Sequence, residues 1–190
     1  DVAGSYEINV RSTKRVIDDL IRLGIKPVFL STECVFDGKR GHYTEEDMPT
    51  PSTVYGSQKI ETEKYLSTLE VDYAVLRLAK VFSTEVDDGQ VLATWLDQIR
   101  RGEKIKAAYD QIFSPIHIDD VVSLAEELVR RDLNGLYHVS NTESCSRLEF
   151  LRILLDSMGL KASEAHVEEC SIAEFNFIEE RPRDVSLDPR

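Results

Sequence analysis

The sequence predicts an α/β protein built around a mostly parallel sheet, and three features carry this prediction. Short apolar runs rich in β-branched and aromatic residues alternate with longer segments of helical periodicity. The first of these runs, "PVFLS", is almost continuously apolar, as expected for a strand buried on both faces. Hydroxyl residues follow where that strand ends, at the edge where open α/β sheets bind ligands.

The individual elements follow from periodicity and from turn residues. The predicted helices have apolar residues at helical spacing and are residues 8–23, 54–69, 90–101, 119–131 and 146–159. The predicted strands are short and bounded by turn formers, and they are residues 27–31, 73–82, 114–118 and 135–140. Asp119 or Asp120 is the expected N-cap of its helix. Residues 36–53 are polar and predict a long surface loop, a kind of segment that is often functional.

The charge of the chain excludes one class of partner. The 190 residues include 23 Lys and Arg against 35 Asp and Glu, which gives a net charge of -12. A nucleic-acid surface needs clustered cations, so we expect no nucleic acid as a partner. A small anionic ligand held by a few local donors is compatible with this charge.

The cysteines, histidines and hydropathy give further expectations. Three separated cysteines without a C-x-x-C pair indicate reduced thiols in a cytoplasmic protein. We interpret His117 as a residue at a strand end before a capped helix, and we predict no metal site. No apolar run approaches the ~18 residues of a membrane span, and no signal peptide is recognisable, so we expect no membrane partner.

Four polar side chains form the candidate site. Ser31 and Thr32 lie at the predicted strand end, and Tyr55 and Lys59 are spaced i, i+4, which puts them on one face of a helix. A lysine ammonium favours the phenolate of a nearby tyrosine and lowers its pKa, so the pair predicts acid–base chemistry at a carbonyl or alcohol. Two plainer interpretations stay open, because hydroxyls often close strands and Y-x-x-x-K also occurs on solvated helix faces.

Four ordered motifs give a more specific resemblance. They are "STECVFDG", "YTEEDMPTPSTVYGSQKIETE", "YDQIFSPIHIDDV" and "RPRDVSLD". Together they resemble the extended short-chain dehydrogenase/reductase family, and within it the dTDP-4-dehydrorhamnose reductase group, from about Asn9 to Asp188. The resemblance implies the C-terminal part of a Rossmann-type doubly wound parallel sheet plus a small α/β substrate lobe. Residues 1–102 would belong mainly to the cofactor-binding domain, and residues 103–190 mainly to the interleaved substrate lobe.

The family's catalytic roles carry over to matching positions. Thr32 would bind the sugar carbonyl, with Ser31 beside it on the cofactor side. Tyr55 would be the catalytic acid. Lys59 would tune Tyr55 and hold the nicotinamide ribose, so that Ser31, Tyr55 and Lys59 would contact NADPH or NADH.

Further positions carry over with open alternatives. Arg181 would meet a nucleotide phosphate, or else form a salt bridge in the tail. Glu63 matches a family glutamate, or else is an exposed helix carboxylate. Asn9 matches a structural asparagine. Lys80 would contact the substrate, but it stands where a tryptophan is typical, and Cys34 stands where a tyrosine is common, so the identity of the sugar is left open.

The glycine-rich cofactor loop of the family does not occur in the chain. We expect it on the order of 60–80 residues before Asp1, because each βαβ unit takes about 30 residues. The chain does not begin with Met, so we expect that the beginning of a larger protein is absent.

The resemblance implies NAD(P)H-dependent reduction of a nucleotide-linked 4-keto sugar such as dTDP-4-dehydrorhamnose. Dehydration is disfavoured, because Glu33 and Cys34 replace the Asp-Glu pair that follows the threonine in dehydratases. Two alternatives are a sugar-nucleotide epimerase of the same family and a non-catalytic nucleotide-binding regulatory subunit. A nucleotide sugar is the expected small-molecule partner, and a homodimer is left open.

Overall fold

The computed structural model describes residues 1–84 and 91–189, along which helices and short strands alternate. The helices are α1 (Val2–Tyr6), α2 (Thr13–Arg22), α3 (Val54–Ser67), α4 (Val91–Arg101), α5 (Ile118–Arg130) and α6 (Arg147–Ser157). The strands are β1 (Val28–Thr32), β2 (Ala74–Leu78), β3 (Val81–Phe82), β4 (Ile105–Ala108), β5 (Ile112–Phe113), β6 (Ile116–His117), β7 (Gly135–Val139), β8 (Cys145–Ser146) and β9 (Val167–Cys170). None of these described helices is long and apolar enough to cross a membrane.

The main sheet is parallel and has the strand order β1-β2-β7. Its last register row joins Thr32 to Leu78 and Leu78 to Val139, so the carboxyl ends of the three strands lie at one edge. This confirms the predicted α/β class with a parallel sheet. It also puts the residues that follow β1 where such sheets bind ligands.

Helices cover both faces of this sheet. On one face, Ile17 of α2 and Leu66 of α3 pack against Phe29 and Val75. On the other face, Leu128 of α5 belongs to a second apolar cluster with strand residues of the sheet. The predicted burial on both faces holds for β2. It is wrong for β1, whose Val28 and Leu30 are exposed.

A second group of elements forms a lobe beside the sheet. Strand β4 pairs in parallel with β9, and Trp95, Ile105 and Leu151 share one apolar cluster there. Helix α4 therefore packs with residues of the predicted substrate lobe, although it precedes residue 102. The division of the chain at that residue stays a prediction.

Two predicted elements differ from the structure. The predicted strand 73–82 is two strands, because the chain leaves the main sheet at Lys80 and β3 pairs with β6 instead. The predicted N-cap at Asp119 or Asp120 is wrong. His117 caps α5, since its Nδ1 accepts the N–H of Asp119 at 3.2 Å.

The long loop after β1 has little regular structure but is held at its centre by the C-terminal tail. Tyr43 stacks on Phe36 with ring centres 4.1 Å apart. Its N–H donates to the Ser186 carbonyl at 2.9 Å, and its carbonyl accepts the N–H of Asp188 at 2.8 Å. The tail is thereby fixed close to the chain that follows the end of β1.

A buried ion pair lies between α3 and the sheet. Arg77 Nη2 lies 2.7 Å from Glu63 Oε2, and both side chains are almost fully buried. The Ser31 hydroxyl also donates to Glu63. The alternative that Glu63 is an exposed helix carboxylate is therefore wrong.

We expect Glu63→Gln to lower the free energy of unfolding by about 3–5 kcal/mol, because it leaves the Arg77 charge buried without a counter-ion. Glu61→Gln on the same helix removes only a partly exposed pair with Lys14, and we expect a loss of about 0–1 kcal/mol. Urea unfolding of both variants measures the difference. Equal losses would show that the buried pair contributes no more than the partly exposed one.

Candidate functional site

The Thr32 hydroxyl holds the turn at the end of β1. Thr32 is the N-cap of a 3-10 turn, Glu33–Val35, and its Oγ1 accepts the N–H of Cys34 at 3.2 Å. Thr32 is itself half-buried and in an extended conformation. Its side chain therefore lies at the carboxyl edge of the sheet, as predicted.

Helix α3 begins in direct contact with this turn. Thr53 is its N-cap and accepts the N–H of Gly56 at 3.1 Å. A Cβ at Gly56 would lie only 2.0 Å from the carbonyl oxygen of Cys34. Only glycine permits that approach, which brings the neighbouring Tyr55 beside the Thr32–Cys34 segment.

Lys59 connects the helix to the strand. Its Nζ donates to the Leu30 carbonyl at 2.8 Å, and it lies 4.8 Å from the ring centre of Phe29. The same Nζ is 5.7 Å from the ring centre of Tyr55. Tyr55 and Lys59 thus share one face of α3, as their i, i+4 spacing predicts.

The protonation of this pair differs from the expectation. Burial, with a smaller contribution from Cys34, raises the pKa of Tyr55 above its ordinary value. Burial also lowers the pKa of Lys59, and the Glu63 carboxylate acts in the opposite direction. The expected lowering of the Tyr55 pKa by Lys59 is therefore not found. The ammonium is directed to the Leu30 carbonyl and to the tyrosine ring face.

Ser31 lies below the site. It is only 4% exposed, and its hydroxyl is bonded to Glu63. It supports the end of β1 from the helix side, and a direct contact with a cofactor stays a prediction.

A cavity of about 500 Å³ opens beside the exposed part of Tyr55, which is 42% exposed. Asn9 borders it from a π-helical segment, Glu7–Ser12, a geometry that is frequent at functional sites. The Asn9 amide donates to Gln58 Oε1 at 2.8 Å. This bond attaches Asn9 to α3 at Gln58, about one helical turn from Tyr55.

Arg181 lines the same cavity from the C-terminal tail. Its guanidinium carbon is 5.4 Å from the ring centre of Phe177, and that ring stacks on Phe175 with centres 5.6 Å apart. The structure therefore brings Arg181 to the Tyr55 cavity. No salt bridge to Arg181 occurs within the described part of the chain. Its contact with a nucleotide phosphate stays a prediction.

Lys80 lies at a second cavity, which Phe175 also lines. Its backbone N–H donates to Glu33 Oε2 at 2.9 Å. Burial raises the pKa of Glu33 to about 8, although the Lys80 charge acts to lower it. In the sequence, Glu33 served only to argue against dehydration. Its position directly after Thr32 was the one signal that could have placed it at the candidate site.

Arg147 is a residue that sequence reasoning missed. It is the first residue of α6 and lines the second cavity with Lys80. No sequence pattern singles it out, since only tertiary packing brings α6 to the end of β2.

The possible metal ligands of residues 1–84 and 91–189 are dispersed. No group of three or more His, Cys, Asp or Glu side chains in those ranges could hold a metal ion. The His117 side chain is used as a helix cap.

Comparison with known proteins gives matches along the whole chain. The family model described as "RmlD substrate binding domain" matches residues 1–190. The dTDP-4-dehydrorhamnose reductase of Aggregatibacter actinomycetemcomitans is 28% identical over 198 residues, covering 99% of this chain and 67% of that protein. Methionine adenosyltransferase 2 subunit beta of Rattus norvegicus is 26% identical over 165 residues, covering 83% of this chain and 49% of that protein. The chain thus spans only about half the length of that relative.

A solved structure agrees with these matches. The dTDP-4-dehydrorhamnose reductase of Bacillus anthracis, crystallised in complex with NADP, superposes with a TM-score of 0.91. It is 28% identical, and the match covers 100% of this chain and 66% of that chain. The resemblance inferred from the four motifs is therefore confirmed, and the chain belongs to the RmlD substrate-binding domain family.

Proposed function

We propose that the full-length gene product reduces a nucleotide-linked 4-keto sugar, such as dTDP-4-dehydrorhamnose, with NADPH or NADH. The observation that carries this proposal is the close approach of Gly56 to the Cys34 carbonyl, which holds the start of α3, with Tyr55, against the turn that follows Thr32. A hydroxyl and a proton donor then lie at the carboxyl edge of a parallel sheet. Relatives named as reductases support the same chemistry.

Thr32 and Tyr55 would have different roles at the substrate carbonyl. The Thr32 hydroxyl would hydrogen-bond the carbonyl oxygen and hold it towards Tyr55. The Tyr55 hydroxyl would give its proton to that oxygen as the carbonyl becomes an alcohol. A raised pKa suits a proton donor, because it keeps the phenol protonated at neutral pH.

The nicotinamide cofactor, when bound, supplies the hydride that the carbonyl carbon receives. Lys59 fits the role of a ribose contact. An ammonium has three N–H donors, and the structure commits one of them to Leu30. The remaining donors can bind ribose hydroxyls at the exposed edge of β1, where Leu30 is 49% exposed.

The first test is a direct assay. Purified full-length protein is mixed with NADPH and dTDP-4-dehydrorhamnose, and the loss of NADPH absorbance and the sugar product are followed together. We expect reduction at C4. Absence of turnover with this and with other nucleotide-linked 4-keto sugars would exclude the reductase function.

A second candidate is a regulatory subunit, and one observation favours it. Relatives named methionine adenosyltransferase 2 subunit beta match the chain at 26% identity. A regulator would alter the kinetics of a methionine adenosyltransferase without reducing a sugar. Assaying the same purified protein for both effects separates the two functions.

We expect Tyr55→Phe to lower turnover by ~100-fold or more, since it removes the proton donor and leaves the ring in place. Cofactor affinity should stay nearly unchanged. Tyr65→Phe on the same helix is the matched control, because the Tyr65 hydroxyl bonds Asp18 rather than the site. A Tyr55→Phe enzyme within a few-fold of the native rate would remove Tyr55 from the mechanism.

We expect Lys59→Met to weaken both turnover and cofactor affinity, because the ammonium that bonds the Leu30 carbonyl would also contact the ribose. Lys64→Met, at an exposed position of α3, should change neither. Steady-state kinetics together with a cofactor titration measure both effects. Unchanged cofactor affinity in Lys59→Met would argue against the ribose contact.

We expect residues 1–190 alone to bind NADPH with a Kd near or above the millimolar range, a free energy of about -4 kcal/mol. The chain has no G-x-x-G-x-x-G segment, and in Rossmann-type folds that loop and its helix hold the pyrophosphate. Titration calorimetry on this chain decides the point. A micromolar Kd would reveal a pyrophosphate site within these residues.

A further inference from the structure

Residues 175–181 form an irregular strap at the cavity beside Tyr55. Phe177, Ile178 and Arg181 of the strap line this cavity. Two of its apolar side chains point away from any core, since Phe177 is 42% exposed and Ile178 is fully exposed. Apolar burial therefore does little to hold the strap, and its position depends on a few specific contacts.

The strap is fixed at both of its ends. Before it, the Asp110 carboxylate accepts the backbone N–H of Ile172 at 2.6 Å. After it, the N–H of Asp184 donates to the Gly38 carbonyl at 3.0 Å. A Cβ at Gly38 would lie only 2.4 Å from the Cβ of Pro182, so this end of the strap packs directly on the long loop after β1. The two ends therefore have set positions, and the middle of the strap crosses between them.

In its middle, the strap is attached by one side chain. Glu179 Oε2 accepts the backbone N–H of Val54 at 3.1 Å, and Glu179 is half-buried. The strap's other hydrogen bonds within the described residues are local, from Phe175 to Ile172 and from Phe177 to Phe175. The position of the strap over the cavity thus depends on Glu179.

The group that Glu179 binds belongs to the helix of the candidate site. Val54 is the first residue of α3 and directly precedes Tyr55. Its N–H has no acceptor within the helix, because the first N–H groups of a helix lack intrahelical partners. The first turn of α3, residues 54–57, has no acidic side chain. Glu179 therefore supplies the negative charge that a helix N-terminus favours.

We propose that Glu179 is a positioning residue, which holds the strap against the start of α3 and so places Phe177 and Arg181 at the Tyr55 cavity. It acts through the strap, because its carboxylate is bonded to the backbone of Val54. The effect on turnover rests on the proposed function, since it takes this cavity as the place of reduction. The attachment of the strap does not depend on that function.

The kinetic test compares Glu179→Ala with Glu179→Gln in the full-length protein. We expect Glu179→Ala to raise KM for the 4-keto sugar nucleotide on the order of 10-fold, the typical loss for one hydrogen bond to a charged group. The value of kcat should stay nearly unchanged, because Thr53 still caps α3 through the N–H of Gly56. Glu179→Gln should restore most of the native KM, since its amide oxygen can accept the same N–H.

Two further measurements follow the strap without any turnover. Hydrogen exchange of the Val54 amide, observed by NMR, should be faster in Glu179→Ala. The Gly56 amide should keep its native exchange rate, because Thr53 Oγ1 accepts it. Chymotrypsin cleaves after aromatic residues, and its cleavage after Phe177 should also be faster in Glu179→Ala than in Glu179→Gln.

The neighbouring residue gives a matched control. Glu180 has the same charge as Glu179 but is exposed. We expect Glu180→Ala to keep the native KM, the native exchange of the Val54 amide and the native cleavage after Phe177. Thermal unfolding of each variant verifies that the fold is intact.

Three outcomes would overturn the proposal. Native exchange at Val54 with native cleavage after Phe177 in Glu179→Ala would show that the carboxylate does not hold the strap. A native KM in Glu179→Ala, or an equal rise of KM in Glu180→Ala, would exclude the positioning role. A protein that reduces no sugar, but whose strap is released in Glu179→Ala, would refute the reductase function and leave the attachment standing.

Discussion

The approach of Gly56 to the Cys34 carbonyl is the contact on which the candidate site depends. The end of β1 and the start of α3 are separated in sequence by the long loop, and nothing local fixes their distance. A side chain at position 56 would push the helix away, because the carbonyl occupies the space of its Cβ. With glycine there, Tyr55 lies beside the Thr32 segment and Lys59 reaches the Leu30 carbonyl one turn later.

The buried pair beneath this contact holds the same two elements together from the inside. Glu63 of α3 accepts hydrogen bonds from Arg77 of β2 and from Ser31 of β1. One carboxylate therefore connects the helix to two neighbouring strands. Buried charges of this kind are more costly to leave unpaired than they are stabilising when paired, so they favour the one arrangement in which all three groups meet. The position of the face of α3 that carries Tyr55 and Lys59 is a consequence of that arrangement.

Much of the site could be predicted because its determinants are local. The i, i+4 spacing puts Tyr55 and Lys59 on one helix face, and a buried strand followed by Thr32 marks the carboxyl edge of the sheet. The capping of α5 by His117 was not predictable in this way, since Asp119 and Asp120 are equally plausible caps in sequence. Glu63 illustrates a second limit. Periodicity identifies one buried face of a helix. Helix α3 is covered on several sides, so its sequence pattern does not show whether a carboxylate such as Glu63 is buried or exposed.

The missed residues are those whose neighbours come from distant parts of the chain. Arg147 meets Lys80 only because α6 packs beside β4 and the chain leaves the main sheet after β2. The raised pKa of Glu33 depends on burial, which no spacing rule reveals.

The tail links the two cavities physically. Its rings Phe175 and Phe177 stack on each other while each lines a different cavity. A ligand group that moves one ring must disturb the other, because a stacked pair retains its contact only when both rings shift together. Tyr43 pairs with the backbone at Ser186 and Asp188, and so anchors the tail nine residues beyond Phe177. A shift of the stacked rings would therefore change the walls of both cavities together.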